Sequence, residues 1–376
     1  MALKPSLLLI AYSEIALKSS PVRRRLENML LSHVKAKLSM AGMPAGESWK
    51  EGGRIFLRHG RAEAAAPIAS KIFGVEYVAP AVQTSTKLED VVDTSVRLVE
   101  GRLREGLTFA VRARRVGVHP YTSRELEAEA GRAILESYGN LKLKVDLESP
   151  QLTVHIEARE KYSYLYLDVF RGFGGLPVGS QGEALAVFDG WRAALASWLT
   201  MKRGVNITPL ALGLTPEEAD RLPEMFKLLA PWIPRRKVKV YSLALTETSQ
   251  WLAERNMVSP VFLELAKALA SLEVARRLKL QALVSGLSLK PNPSFTLKLL
   301  RLLRESIDIL ILAPLAGLEA EKLLEVAKTL SLKPQPEPRF EEKDENFTLA
   351  RNVKGELVEQ VKRDLENLKV QQLKIA

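Results

Sequence analysis

From Glu183 onward the sequence alternates strictly between short apolar runs of strand length and longer helical segments. Helices lie between the runs, notably Val261–Leu278, and another, Glu319–Leu330, follows the last run. Strands joined by helical crossovers run parallel, so the pattern predicts a parallel α/β sheet covered by helices. The predicted strands are Glu183–Phe188, Ile207–Leu212, Val238–Leu243, Ala282–Ser285 and Ile307–Leu312.

The stretch Gly174–Gly204 contains the first of these strands, a tight Asp189-Gly190 turn, and a helix that starts at about Trp191 and is closed by Gly204. A strand that turns through glycine into a helix N-terminus is the usual geometry of a phosphate site. Here the turn has one glycine instead of several, and a carboxylate where a phosphate needs amides. We therefore expect Asp189 to cap the helix itself, and a βα unit without a ligand is favoured.

The net charge and the absence of cysteine limit the classes of function that the sequence can support. The 376 residues carry a formal net charge of +11, which suggests a polyanionic partner, nucleic acid before membrane. A solvated basic surface of a thermophilic protein is the alternative. The absence of cysteine excludes a thiolate nucleophile, a persulfide, a disulfide and a zinc-thiolate site. The four histidines show no metal-ligand spacing, so no metal site is predicted. No run approaches the ~18 apolar residues of a membrane span, and the chain is expected to be cytoplasmic.

The first 172 residues form two smaller predicted modules. Strands Leu7–Tyr12 and Arg54–Leu57 alternate with helices Val22–Met40 and Glu63–Ile72, which is typical of a small α+β layer. The second module follows Phe73-Gly74. Its predicted elements are strand Glu76–Ala81, helix Leu88–Leu103, strand Thr108–Ala113, helix Ser123–Tyr138, and a hairpin of Leu152–Ala158 with Tyr162–Phe170.

Two basic clusters lie in these modules. Arginine and lysine on neighbouring loops, with aromatic side chains nearby, suit contacts to an RNA backbone and stacking on unpaired bases. Each cluster alone could be solvated surface, but two clusters in successive small domains favour RNA binding. The first cluster is Lys18, Arg23, Arg24 and Arg25; the second is Arg112, Arg114, Arg115 and Arg124, near His119 and Tyr121.

Catalytic candidates are weak. Asp189 has no second carboxylate close in sequence with which to share a metal ion. Arg192 lies in the first turn of its helix, where a cation opposes the helix dipole, so it suits a salt bridge to Asp189 or an external phosphate better than a Mg²⁺ site. Ser285 and Gly286 follow a predicted strand, where parallel sheets bind ligands.

Several motifs, in order along nearly the whole chain, give the sequence a resemblance to the tRNA 4-thiouridine synthetases, also called tRNA sulfurtransferases. The Tyr12–Lys18 segment looks like the family's YGEIALKG opening, and Gly174–Gly179, GGLPVG, is the most specific match. Further matches are Ile72–Val75 at the entry to the THUMP domain, Val111–Arg115 with Thr122-Ser123 as VRAKR…TS, Ser285–Leu289 as TGESLG, and Ala313–Leu318 as RPLIGM.

The departures from that family lie where it carries out its chemistry. Its pyrophosphatase loop, SGGxDS, aligns with Phe188–Ala193, so Arg192 occupies the position of the catalytic Asp. In the TGESLGQ segment, Glu, the second Gly and Gln become Leu287, Lys290 and Pro291. The cysteines that carry sulfur in the family are missing altogether. Adenylation and sulfur transfer are therefore both affected, and no catalytic residue is assigned.

The resemblance implies a fold and a function. It implies a ferredoxin-like α+β N-terminal domain, a THUMP α/β domain, and a doubly wound, Rossmann-like domain of the PP-loop ATPase type. The function expected from it is tRNA binding by a non-catalytic paralogue, a pseudoenzyme. No cofactor is expected in that case. The alternative is an active ATP-dependent tRNA sulfurtransferase that takes sulfide or a partner's sulfur, and only this alternative brings in ATP and Mg²⁺.

The expected domains are 1–75, ferredoxin-like; 76–172, THUMP; 173–332, the degenerate ATPase-like domain; and 333–376, a C-terminal arm and helix. The Pro-rich stretch Lys333–Glu345 is predicted as a linker or surface arm, and Gly355–Leu368 as the final helix. The expected tRNA contacts are Lys18, Arg23, Arg24, Arg112, Arg114, Arg115 and Arg124. The degenerate loop is Asp189, Gly190, Arg192, Ser285 and Gly286. A separate catalytic tRNA-modifying subunit and a homodimer are further partners left open.

Overall fold

The structure is a computed structural model that describes residues 3–289, 292–332 and 343–375. Most of the predicted arm Lys333–Glu345 therefore lies outside the described residues. Contacts between Cα atoms divide the chain into two compact units, Met1–Gly175 and Leu176–Ala376.

The first unit is a mixed sheet with helices packed on it. Its strands are β1 (Leu7–Ala11), β2 (Ser48–Glu51), β3 (Arg54–Arg58), β4 (Tyr77–Thr84), β5 (Thr108–Arg115), β6 (Lys144–Val145), β7 (Leu152–Ala158), β8 (Ser163–Tyr166) and β9 (Phe170–Arg171). Its helices are α1 (Ser20–Met40), α2 (Ala62–Ala69), α3 (Leu88–Val99) and α4 (Ser123–Ser137), with 3₁₀ turns at Glu14–Leu17 and Gly139–Leu141.

Strand β4 connects the two predicted modules of this unit. The strand order is β2-β3-β1-β4-β8-β7-β5-β6, and β9 also pairs with β4. Strand β4 lies antiparallel to β1, with Leu9 opposite Ala79, and antiparallel to β8, with Gln83 opposite Tyr164. The strands of the two modules therefore form one continuous hydrogen-bonded sheet, in which β4 lies between β1 and β8.

Sequence patterns account for most of the helices here. Helix α1 is amphipathic, and its inner face, Leu26, Leu30, Val34 and Leu38, is fully buried. Helix α4 starts at the expected residues: the Thr122 hydroxyl accepts from the Glu125 amide, and the Glu125 carboxylate accepts from the Thr122 amide. This reciprocal pair is a capping box, which satisfies two backbone donors that the helix cannot satisfy itself.

The second unit contains the predicted parallel sheet. Its strands are β10 (Glu183–Phe188), β11 (Asn206–Gly213), β12 (Lys237–Ala244), β13 (Ala282–Val284), β14 (Leu310–Leu312) and β15 (Lys369–Lys374). Its helices are α5 (Trp191–Lys202), α6 (Pro216–Phe226), α7 (Thr246–Glu254), α8 (Pro260–Arg277), α9 (Pro293–Ser306), α10 (Ala320–Thr329), α11 (Asp344–Asn352) and α12 (Lys354–Asp364), with 3₁₀ turns at Lys227–Trp232 and Leu365–Asn367.

The strand order in this unit is β14-β13-β10-β11-β12-β15. Where strands β10 to β14 pair with one another they are parallel, which confirms the fold predicted from the strand–helix alternation. The chain adds strands on one side of β10 as far as β12 and then crosses to the other side with β13. The order therefore reverses beside β10, which makes the sheet doubly wound.

The C-terminal segment was incompletely predicted. The final helix was expected over Gly355–Leu368, but α12 ends at Asp364, and the chain then forms β15, antiparallel to β12. Helix α11 was not predicted. Phe347 and Ala350 of α11 and Leu357 and Val361 of α12 are buried in the main core of the unit. Strand β15 escaped prediction because its residues are mostly exposed and polar, without an apolar alternation.

A buried ion network ties the β2–β3 hairpin to β7 in the first unit. The Glu157 carboxylate, 3% exposed, accepts from Arg54 Nη2 at 3.1 Å, Arg159 Nη2 at 2.6 Å and the Tyr77 hydroxyl at 3.1 Å. Arg159 also donates to the carbonyls of Glu51 and Gly52. Burial alone would raise the pKa of the Glu157 carboxyl, but the two guanidinium groups hold it below its usual value.

We expect Glu157→Gln to lower the free energy of unfolding of the protein by about 3–5 kcal/mol, because two buried guanidinium groups lose their counter-charge. The matched control is Asp168→Asn, which breaks the exposed pair of Asp168 with Arg102 and should cost less than about 1 kcal/mol. Denaturant titration of the two variants measures both values, and equal losses would contradict the role of the network.

The same network predicts a pH dependence. A carboxyl whose folded-state pKa is lowered stabilises the fold above its unfolded pKa of about 4.3 and loses that contribution as the pH falls through the lowered value. The stability difference between the wild type and Glu157→Gln should therefore shrink as the pH falls below about 4. Titrations repeated between pH 7 and pH 3 would show this, and a constant difference would be inconsistent with it.

Candidate RNA interface and nucleotide loop

The loop before β10 wraps around the C-terminal end of α5. The Leu176 amide donates to the Lys202 carbonyl, and the Gln181 amide donates to the Gly204 carbonyl. Gly204 follows the last helical turn with φ +88°, and a Cβ there would lie 2.4 Å from Ser180 Oγ. Glycine suits this close approach and positive φ, so Gly204 directly after the C-cap Arg203 closes α5, which ends at Lys202.

The two predicted loop segments meet where the strand order reverses. Asp189 follows β10 and Ser285 follows β13, and these strands are direct neighbours in the sheet. A Cβ placed on Gly286 would lie 3.0 Å from Arg192 Cβ, so Gly286 packs directly against the first turn of α5. All five predicted loop residues are thus near one another at the carboxyl edge of the sheet, where doubly wound folds bind ligands.

Asp189 does not cap the helix, contrary to our expectation. The N-cap of α5 is Gly190, and the Asp189 carboxylate instead accepts from Lys267 Nζ at 2.8 Å. The same ammonium donates to Glu264 at 2.8 Å. The three side chains are between 19% and 26% exposed. Asp189 therefore has a charged side-chain partner in place of the backbone amides of α5.

Lys267 and Glu264 were not identified from the sequence. They lie on α8, three residues apart, in a helix whose other buried positions are apolar except for Ser271. Burial would lower the pKa of the Lys267 ammonium, but Asp189 and Glu264 raise it above its ordinary value, so the group stays charged. A lysine inside an apolar helical stripe was the available signal, but sequence spacing did not reveal its partner 78 residues away.

The cleft beside this triad is lined by polar and apolar groups together. Ser285, Gly286 and Ser271 line it with the triad, and Val187, Leu283 and Ile311 supply apolar surface. The Arg192 guanidinium lies 5.6 Å from the centre of the Trp191 ring. Formal charges of Asp189, Glu264, Lys267 and Arg192 sum to zero, whereas a triphosphate needs an excess of positive charge or donors. The residues present fit ATP with Mg²⁺ poorly.

The N-terminal basic cluster lies at the start of α1. Lys18, Arg24 and Arg25 are exposed, and Lys18 precedes the helix in an extended conformation. Arg23 is partly buried and donates to the Ser20 hydroxyl at 3.3 Å. The side chains of this cluster therefore lie together at the start of α1.

The second cluster divides into two kinds of arginine. Arg112 donates to the Leu147 carbonyl, and Arg115 donates to the carbonyls of His119 and Tyr121, so both hold loops in place. Arg114 and Arg124 are exposed and form no hydrogen bond or ion pair with any residue that the structure describes. Arg114 ends β5 and Arg124 begins α4. These two are the arginines of this cluster best placed for an outside partner.

Within residues 3–289, 292–332 and 343–375, no group of three or more histidine, aspartate or glutamate side chains is placed to hold a metal ion. Over the same residues, no helix has the length and apolarity that crossing a bilayer requires.

Family models match three consecutive parts of the chain. They are the ThiI ferredoxin-like domain over residues 7–79, the THUMP domain over residues 85–168, and the thiamine biosynthesis protein ThiI over residues 179–333. The "Probable tRNA sulfurtransferase" of Aeropyrum pernix is 32% identical over 339 residues, which cover 87% of this chain and 84% of that protein. The chain belongs to the tRNA sulfurtransferase family. Both the predicted resemblance and the predicted fold class are thereby confirmed.

The chain is also similar to a longer relative and to a solved structure. The tRNA sulfurtransferase of Pyrobaculum aerophilum is 33% identical over 328 residues, covering 86% of this chain and 66% of that protein. A crystal structure of a 4-thiouridine synthetase–RNA complex with bound ATP superposes with a TM-score of 0.79 at 20% identity, covering 99% of this chain and 100% of that one. At that identity the likeness establishes the fold. The names of the relatives favour the alternative expectation, an active sulfurtransferase, over the non-catalytic paralogue.

We expect Lys267→Met to destabilise the protein by about 1–3 kcal/mol, because Asp189 and Glu264 lose the cation between them while remaining partly exposed. Lys322→Met is the control, because Lys322 pairs with Glu325 on an exposed helix face. Thermal melts of the two variants at neutral pH test the prediction; equal losses of stability would argue against the triad.

Proposed function

We propose that this chain binds tRNA, through the ferredoxin-like and THUMP segments that its family shares. The observation that carries the proposal is the THUMP match over residues 85–168, which contains the exposed arginines Arg114 and Arg124. The net charge of +11 agrees with a polyanionic partner. Lys18, Arg23 and Arg24 at the start of α1 supply further phosphate contacts in this proposal, and Arg112 and Arg115 hold the loops that present Arg114 and Arg124.

The names of the relatives and the nucleotide loop point to different answers to the question whether the chain also modifies the bound tRNA. The relatives named tRNA sulfurtransferases favour ATP-dependent formation of 4-thiouridine. In that case sulfur must come from sulfide or from a partner protein, because the chain has no cysteine to carry it. This is the activity that membership of the family supports.

The nucleotide loop favours the second candidate, tRNA binding without chemistry. Arg192 stands where the family's loop has an aspartate, and Asp189 is held by Lys267 at 2.8 Å. A nucleotide that entered the cleft would have to displace this ion pair or bind beside two carboxylates, and either costs free energy. A chain of this kind would present tRNA to a separate catalytic subunit or act alone.

tRNA binding predicts a steep salt dependence that two arginines control. Replacing Arg114 and Arg124 with Gln should weaken binding and flatten the log–log salt slope by about 0.7 per lost contact. Arg112 and Arg115 are left intact because they also hold loops. The matched control replaces Arg97 and Arg132, which are engaged in surface ion pairs with Asp93 and with Glu129 and Glu136.

The measurement is fluorescence anisotropy of labelled bulk tRNA at several salt concentrations. If the Arg114/Arg124 variant keeps the slope of the control, these arginines do not contact RNA. If the wild type itself does not bind tRNA, the proposed function is wrong.

The chemical step is tested by incubating the wild type with ATP, Mg²⁺, sulfide and tRNA. The loop geometry predicts no pyrophosphate release above a tRNA-free control and no 4-thiouridine on mass spectrometry of the tRNA. Release together with 4-thiouridine would establish the activity for which the relatives are named. A preparation from the same expression host lacking this chain, purified in the same way, reports any contaminating activity.

A further inference from the structure

Several basic side chains lie on one face of β12 and β15, at the edge of the sheet in the second unit. Strands β12 and β15 are antiparallel, with Lys237 opposite Lys374 and Lys239 opposite Gln372. Paired residues and residues two apart along a strand share one face of a sheet. Lys237, Lys239 and Lys374 therefore lie on one face, which we call the lysine face, and all three are exposed. Arg235, just before β12, is also exposed.

The arrangement is electrostatically unfavourable without a partner. Like charges directly opposite each other on paired strands destabilise a sheet. None of the three lysines forms an ion pair with a residue that the structure describes. The opposite face of the same strands differs: Lys369 of β15 pairs with Asp220 of α6 at 3.1 Å. Among the described residues, Lys369 on the opposite face thus has a carboxylate partner, whereas the three lysines of the lysine face have none.

Protection of a sheet edge does not account for the lysine face. Lysines on an outermost strand prevent pairing with another chain, and Lys369 and Lys374 on β15 serve that purpose. Lys237 and Lys239 lie on β12, whose outer edge β15 already covers. These two lysines need another explanation, and an anionic ligand supplies one.

We propose that the lysine face binds the phosphate backbone of RNA, as a second contact for the tRNA of the proposed function, on which this inference rests. Lysine ammonium groups suit phosphates as point charges and need no particular base sequence. A membrane is the less suitable partner, because stable binding to a bilayer requires apolar area together with charge. The exposed apolar side chain on this face is Val370, opposite Tyr241.

The test replaces Lys237, Lys239 and Lys374 with Gln and measures tRNA binding by anisotropy across a salt series. We expect a loss of roughly tenfold in affinity near 0.1 M salt and a log–log slope flatter by about two, as for three lost phosphate contacts. The matched control removes the same charge by replacing Lys298, Lys322 and Lys362, each of which is already paired with a carboxylate. Coincident thermal melts of the two variants establish that both are folded.

A second measurement uses the unaltered chain. Acetylation of surface lysines, read by mass spectrometry, should be suppressed by tRNA at Lys237, Lys239 and Lys374 but not at Lys322. If the triple variant binds tRNA as the control does and these lysines stay reactive, the inference is overturned. If the variant instead loses binding only to anionic phospholipid vesicles, the face is a membrane contact and the inference also fails.

These outcomes are separable from the failure of the proposed function. A wild type that binds no tRNA removes both. A wild type that binds tRNA through Arg114 and Arg124, but whose affinity is indifferent to the three lysines, leaves the proposed function standing and removes only the lysine face.

Discussion

The ammonium of Lys267, held between Asp189 and Glu264, is the interaction on which the second unit's candidate site depends. It joins α8 to the turn after β10, beside the point where the strand order reverses. In a doubly wound sheet this position is the natural ligand cleft. Here the ammonium of Lys267 neutralises carboxylates of the same chain, Asp189 and Glu264. The charged groups of the cleft therefore already have partners within the chain. The same contact fixes the beginning of α5, and with it Arg192 and the packing of Gly286.

The fold was largely accessible from the sequence because its signals are local. The bounds of β7 and β10 were predicted to the residue, and so was the start of α4 at Ser123. Strand β15 was missed because four of its six residues are polar or charged, so its position depends on pairing with β12 and not on burial. Because both faces of β15 carry polar residues, its sequence shows no regular alternation of polar and apolar residues.

The site was less accessible, since it depends on contacts between distant residues. The sequence located Asp189, Gly190, Arg192, Ser285 and Gly286 but assigned Asp189 the wrong partner. Lys267 is remote from Asp189 in sequence, and its position on α8 shows Glu264 as a neighbour but does not reveal Asp189 as its second partner. Asp364 gives a parallel case: the last residue of α12 accepts from the amides of Glu247 and Thr248 and so caps α7 across 116 residues. Capping by a distant side chain has no sequence signature.

Strand β4 has a consequence for how this family's RNA-binding half can be inherited. Its residues complete the sheet of the ferredoxin-like segment on one edge and begin that of the THUMP segment on the other. If a gene rearrangement moved one segment without the other, β4 would go with only one of them. One product would then contain β4 with an unpaired edge, and the other product would lack this strand. Recombination is therefore expected to transfer the two segments together, and insertions to accumulate in the loops and not at the junction.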